Sequence, residues 1–354
     1  MENLLNLALI WAGVLISSFL AERTKLTPVL YFLAFGAVAV NTGLLPEESS
    51  PFIEGFSEVG IILIMFALGF EENSSDFLSS IRKTWGIALF GAIAPFVTAW
   101  YAALTFWGDM NLALICGLAM TATAVSLTMV SLRSEKLQTS RAATGIMTSA
   151  VLDDIGSLVL VAVLIPMVTG SGDVSLLDIE LIAIKAVLFF ALVSVIGMWI
   201  LPHNIQSRLF SRLPFIQRYG LRHLLAVDNG EKSTLIILLV ALNISMLAFE
   251  LGFHPAVGAY MAGLIMKDEY FHGHSDTSKN SYEDTRRIID DVAFSWIGPV
   301  FFVELGTKLV FDPVIFFSVI EETLILTVGL FISQVASAGL AARKQPASTG
   351  RKVC

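Results

Sequence analysis

Val151-Leu152-Asp153-Asp154-Ile155-Gly156 places two adjacent carboxylates inside an apolar run from about 142 to 168. The run is long enough to cross a bilayer. One Asp at the centre of a membrane helix costs about 2.5–3.5 kcal/mol on insertion scales. A helix that only had to span would not carry two. At 1.5 Å per residue Asp154 lies about 18 Å from the nearer edge of the run. A short side chain cannot reach headgroup water from there. The pair must face a cavity, a cation or a partner charge, or be satisfied by neighbouring helices.

Working outward, composition sets the class. The chain has 354 residues, 55% of them hydrophobic and 15% charged, with a mean hydropathy of +0.76. A soluble domain carries about 25% charge. Cys116 and Cys354 are far apart and imply neither a disulfide framework nor a metal centre. The N-terminal Met1-Glu2-Asn3 lacks a basic segment, so the first apolar run is not read as a cleaved signal. No phosphate loop, HExxH or large cytoplasmic domain points to an enzyme, and nothing points to nucleic acid or a cofactor.

Eleven candidate spans follow: about 4–21, 27–44, 56–71, 84–107, 111–132, 142–168, 179–201, 234–250, 255–267, 294–311 and 315–342. The runs 56–71, 234–250 and 255–267 are short or marginal. Connectors are short except 202–233 and 268–293, both polar. Nearly all of the 22 Lys and Arg fall after odd-numbered spans or in the tail, and the even connectors are acidic. The positive-inside rule then places the N-terminus outside and the C-terminus in the cytoplasm. Lys185 sits near the outer end of its span and can snorkel. The basic 202–233 loop is read as a solvated linker with some contact to the inner leaflet.

Two halves of the chain repeat one pattern. Thr27-Pro28 precedes Gly36, and His254-Pro255 precedes Gly263; Pro and Gly lie eight apart in both. The third span ends Phe66-Ala67-Leu68-Gly69, and the tenth carries Val303-Glu304-Leu305-Gly306. The offset is seven spans. An odd offset inverts one copy relative to the other, as in secondary transporters. Chance likeness between apolar helices is the alternative.

The fifth span mixes small and hydroxyl residues at mid-membrane: Thr121-Ala122-Thr123-Ala124-Val125-Ser126-Leu127-Thr128. Clustered threonines lower helix propensity, and their hydroxyls satisfy backbone groups freed by unwinding. A helix interrupted near 121–124 would offer carbonyls and helix ends to a cation and a carboxylate. A small-residue packing face is the plainer reading.

These segments together resemble the monovalent cation:proton antiporters, in the branch of bacterial Na+/H+ and Kef-type K+ exchangers. The likeness rests on Thr121 to Ser126, Arg141-Ala142-Ala143-Thr144-Gly145 and Ala150 to Ile155. Thr27 to Gly36, Glu58 to Glu71, Pro255 to Leu264 and Gly298 to Gly306 add to it. The resemblance implies an all-α polytopic membrane protein with that antiporter fold, inverted repeats and a broken helix. The expected organisation is a membrane domain over 1–342 and a cytoplasmic tail over 343–354. Within it lie a first repeat over 1–170, a linker helix over 179–201 and an incomplete second repeat over 234–342. The second repeat stops two spans short of the family pattern, so a truncated product, a fragment or a divergent member is expected.

The resemblance also implies roles. Asp154 would bind Na+ and H+ in alternation. Asp153 would hold a proton or a cationic partner. Thr121 and Thr123 would line the unwound segment, and Ser149 would add an oxygen ligand. Where the family often carries a Gly-Lys pair, this chain has Ser333-Gln334, so the expected cation beside Asp153 is replaced by Gln334. Glu304 is an extra acid and a candidate for the ion path. The expected partners are the membrane, protons, monovalent cations and a second copy of the chain, in the bacterial inner membrane. The competing readings are a Kef-like K+ efflux antiporter and a non-transporting membrane paralogue.

Overall fold

The structure is a computed structural model. It describes residues 1–24, 26–71, 74–121, 232–266, 279–312 and 317–342. It also describes positions 145–146, 148–149, 152–153, 160, 164, 184–185, 188–189, 191–197, 225 and 271. Among the described residues there is helix and no strand. The chain divides into two units. The first comprises Met1–Ser74, Met129–Ser134 and Ile184–Phe311; the second comprises Ser75–Thr128, Glu135–Ala183 and Asp312–Cys354.

The first unit begins with α1 (Glu2–Thr24), α2 (Pro28–Asn41) and α3 (Pro51–Glu71). Residues 184–197, where described, are helical, with Phe189 and Val193 fully buried. After them come α6 (Ser233–Glu250), α7 (Pro255–Ile265) and α8 (Lys279–Asp291). A π-turn over Val292–Trp296 leads into α9 (Gly298–Thr307). The second unit holds α4 (Ser74–Trp107), α5 (Met110–Thr121) and α10 (Ile320–Ala342).

Four described helices are long and apolar enough to cross a membrane: Glu2–Thr24, Pro51–Phe70, Ala88–Trp107 and Ser233–Glu250. Two of these, in α3 and α6, answer to the marginal runs at 56–71 and 234–250. α2, with 14 residues, and α7, with 11, are shorter. At 1.5 Å per residue they are about 21 and 16 Å long, short of the roughly 30 Å apolar layer. Both sit in the middle of their unit, α2 against α1 and α9, and α7 against α3 and α6. α7 is buried on every side from Gly258 to Leu264, as expected of a helix apolar all round. The outward faces of α1 and α10 are apolar instead. Leu15, Phe19, Leu324, Phe331 and Val335 are exposed, the surface a lipid phase covers.

α2 and α7 start alike. Thr27 (φ −63°, ψ 134°) and His254 (φ −64°, ψ 136°) cap helices whose first residue is proline. Proline at that position loses no hydrogen bond and presets φ. The caps differ in chemistry. Thr27 makes no side-chain cap, whereas His254 Nδ1 accepts from Ala256 N at 3.2 Å.

The tenth span is not one continuous helix. Pro299 has no N–H to donate, so the ladder breaks in front of it. Ile297 N bonds Val292 O at 3.1 Å across a wide turn, and the indole of Trp11 donates to Trp296 O at 3.0 Å. The second departure is α8, which lies in a stretch read as a polar connector. Its hydrophobic stripe is narrow: Thr285 and Ile289, one turn apart, are buried, and Thr285 shares a 2.8 Å hydroxyl contact with Ser233 of α6.

In the second unit a short turn joins α4 to α5. Gly108 (φ 67°) follows α4 in the left-handed region, and Asp109 Oδ1 accepts from Asn111 N at 2.8 Å to begin α5. This is a glycine stop followed by an aspartate cap. Gly117 packs on Phe96, where an added Cβ would lie 3.0 Å from the ring.

Candidate functional site

Asp153 belongs to the second unit, in helical backbone, and is only 5% exposed. Leaving an ionised carboxylate that deep is costly unless a cation, a proton or hydrogen-bond donors accompany it. Asp154 and Thr123 lie outside the described residues, as does the expected interruption of the fifth span beyond Thr121. Thr121 is the last residue of α5; it is fully buried and its Oγ1 donates to Gly117 O at 2.9 Å. That bond leaves the hydroxyl oxygen's lone pairs to accept or coordinate.

Ser149 is half-buried and helical, and Thr148 beside it is fully buried. Four residues separate Ser149 from Asp153, so helical spacing puts the two within about 40° of each other. Ser149 therefore goes with Asp153 more closely than with Asp154. Thr148 is a residue the sequence reading does not single out; its signal is a hydroxyl little more than one turn before an intramembrane acid. Gln334 lies on α10 in the same unit, half-buried, next to the buried Ser333, whose Oγ donates to Leu330 O at 2.8 Å.

Glu304 lies on α9 and belongs to the first unit, whereas the aspartates belong to the second. It is 8% exposed. Lys308 Nζ lies 2.7 Å from Glu304 Oε1 and 4.0 Å from Glu54 Oε1. Ser57 Oγ reaches Glu304 Oε2 at 3.5 Å, a long contact. The Glu-to-Lys spacing of four is the helix ion-pair pattern, a signal that the residue order alone carries.

A family model described as "Sodium/hydrogen exchanger, transmembrane" matches residues 10–352. The chain belongs to the sodium/hydrogen exchanger family. It is 27% identical over 343 residues to the Na(+)/H(+)-K(+) antiporter GerN of Bacillus cereus, covering 97% of this chain and 80% of that one. It is 24% identical to a Na(+)/H(+) antiporter of Enterococcus hirae, covering 92% and 79%. It is 23% identical to the glutathione-regulated potassium-efflux protein KefC of Klebsiella pneumoniae, covering 72% of this chain and 38% of that one. Among solved structures, the sodium proton antiporter MjNhaP1 of Methanocaldococcus jannaschii matches with a TM-score of 0.65 at 16% identity. The match covers 99% of this chain and 83% of that one. The exchanger fold expected from the Asp-Asp and Thr-rich stretches is thus the fold observed. The chain is a polytopic membrane protein of a transporter family and not an enzyme.

Proposed function

We propose that this exchanger-family chain moves Na+ and H+ in opposite directions across the bacterial inner membrane, through competition at Asp154. The observation that carries this reading is the burial of Asp153 in the helix of the Asp-Asp stretch. A family member with an acid at that depth has the group on which a proton and a cation can exclude each other. Burial disfavours the charged form of a carboxylate, and a like-charged neighbour disfavours it further. Na+ favours the ionised form and expels the proton. The loaded and the protonated states are near-neutral and can reorient; the empty, charged state cannot. Hard cations prefer oxygen ligands. Asp154, Asp153, Ser149, Thr121 and Thr123 supply carboxylate and hydroxyl oxygens, with Gln334 in place of a cationic partner.

The N-terminus faces outward and the tail faces the cytoplasm, by the distribution of Lys and Arg. Two copies form the working unit. K+ as a second substrate is favoured by two relatives, the Na(+)/H(+)-K(+) antiporter GerN and the potassium-efflux protein KefC.

The test is a pH-dye assay in proteoliposomes carrying the full chain. Addition of Na+ or Li+ to vesicles acidified inside should relieve dye quenching, with K+ weaker. No response to any of the three cations contradicts antiport. A response to K+ alone transfers the assignment to the efflux class.

A further inference from the structure

The first unit contains a cavity of about 310 Å3 where the start of α2, the π-turn and the start of α9 meet. That volume is at the lower end of the range for small-molecule pockets, about 300–1,000 Å3. Its apolar wall is Val29 and Phe32 of α2, Phe294 of the π-turn, and Pro299 and Phe302 of α9. Asp290 and Asp291, which end α8, and Ser295 supply the polar groups; no Lys, Arg or His lines it. Five of the six positions 290–295 border the cavity. At 100° per residue a regular helix spreads six consecutive side chains around its whole circumference. Here the wide turn over Val292–Trp296 wraps the chain about the space instead, and single π-turns recur at functional sites. Thr27, one residue from the wall at Pro28, holds a buried hydroxyl oxygen with no hydrogen-bond partner among the described residues.

Charge and wall together select the occupant. Two adjacent carboxylates with no basic group in the lining disfavour an anion. A bare inorganic cation needs a shell of oxygen ligands, which a mostly apolar wall does not supply, and it would leave most of the space unfilled. A purely apolar molecule would desolvate the carboxylates without pairing them. An organic ammonium ion meets both demands. Its N–H groups donate to carboxylate and hydroxyl oxygens. Its hydrocarbon part packs on Phe32, Phe294 and Phe302, and its charge is attracted by the ring faces.

We propose that this cavity binds a small primary organic ammonium ion with an apolar body, its head at Asp290 and Asp291 and its body on Phe32, Phe294 and Phe302. The site lies within the first unit, whereas the exchanging aspartates belong to the second. On the orientation proposed above, both the start of α2 and the end of α8 adjoin cytoplasmic connectors, so the ligand enters from the cytoplasm. Once bound it joins α2 to the bend between α8 and α9.

The test is calorimetric titration of the purified full chain in detergent with phenethylammonium at pH 7. Two partial probes accompany it: 2-phenylethanol, the same body without the charge, and ethylammonium, a head with little body. Phenethylammonium should bind saturably, and each partial probe should bind weaker by about tenfold or more. Asp291→Asn should weaken phenethylammonium by about tenfold. Phe294→Leu keeps most of the apolar volume and removes the ring, and it should weaken binding too; melting curves without ligand show that both variants fold. Asp154→Asn should bind as the unaltered chain does. Absence of saturable binding overturns the proposal, as does affinity unchanged by Asp291→Asn. Equal binding of 2-phenylethanol would make the cavity a pocket for lipid or detergent and overturn the charge argument. Loss of binding in Asp154→Asn would move the ligand to the exchange site and overturn the placement.

Discussion

Gly36 on α2 and Gly306 on α9 meet backbone to backbone. A Cβ added to Gly36 would lie 2.9 Å from the Gly306 Cα, and one added to Gly306 would lie 3.0 Å from the Gly36 Cα. The same contact recurs between Gly69 on α3 and Gly263 on α7, where a Cβ on Gly263 would lie 2.8 Å from the Gly69 carbonyl carbon. Gly263 stands to Pro255 as Gly36 stands to Pro28, and Gly69 answers to Gly306 in the repeated sequence pattern. α2 of one half thus crosses α9 of the other, and α7 crosses α3. Four glycines mark the two crossings.

Alanine at either crossing should destabilise the protein. Gly36→Ala and Gly263→Ala each force a methyl onto backbone that has no side chain to move aside. The expected cost is about 1–3 kcal/mol, the range for overpacking a tight contact. Thermal unfolding in detergent reads it. Gly55→Ala is the control, since nothing lies within 4 Å of a Cβ there. Equal Tm for the control and the crossing variants would mean that the crossings are looser than described.

Much of this is legible in the sequence. The eight-residue Pro-to-Gly spacing recurs in two places, and the two helix starts share dihedrals to within a few degrees. Asp153 is legible as a candidate because an acid deep in a long apolar run is costly unless a cation, a proton or hydrogen-bond donors accompany it. Two features are harder to read. α8 is polar along most of its length, so a search for apolar runs passes over it, although Tyr282, Thr285 and Ile289 recur three to four residues apart on its inner side. The π-turn before α9 leaves Trp296 O without its usual helical donor, because Val300 N bonds Ile297 O instead. The indole of Trp11, 285 residues away, donates to Trp296 O, and no local pattern encodes it.

Lys308 should matter more to stability than a surface lysine does. Lys308→Met leaves Glu304 buried without its 2.7 Å partner. The loss is about 2 kcal/mol, the scale of a hydrogen bond to a charged group, moderated because Lys308 itself is half-exposed to screening solvent. Chemical denaturation at two salt concentrations measures it. Glu304→Gln combined with Lys308→Met should recover part of the loss, since no charge is then stranded. A double variant no more stable than Lys308→Met alone would contradict this pairing.

His254 should make stability depend on pH. Although the residue is exposed, desolvation of its ring lowers the pKa below the ordinary value of about 6.5, and the charge of Glu58 on α3 partly raises it again. Nδ1 must be unprotonated to accept from Ala256 N, and an imidazolium at a helix N-terminus opposes the helix dipole. With the folded-state pKa depressed, the unfolded chain binds more protons. The contribution is therefore complete above about pH 6.5 and is lost as the pH falls through the folded-state value. The cap is worth about 1 kcal/mol. His254→Ser should cap equally well and remove this part of the pH dependence. An unchanged pH profile in that variant would remove His254 from the account.

The positive-inside reading fixes an accessibility pattern. With Cys116 and Cys354 replaced, single cysteines introduced in 202–233, in 268–293 and in the tail should all label from the cytoplasmic side. One introduced at Ser49 should label from outside. A charged thiol reagent on intact cells and on inverted vesicles distinguishes the two. Opposite labelling of 202–233 and 268–293 would overturn the topology.

The most direct test of the central claim is Na+-driven proton movement in proteoliposomes with Asp154→Asn and Asp153→Asn side by side. Asp154→Asn should abolish the competition between Na+ and H+. Asp153→Asn should leave much of the exchange and move its pH dependence. Equal loss in both would mean that the pair titrates as one coupled site. Exchange retained in Asp154→Asn would contradict the assignment of Asp154 as the group on which cation and proton compete.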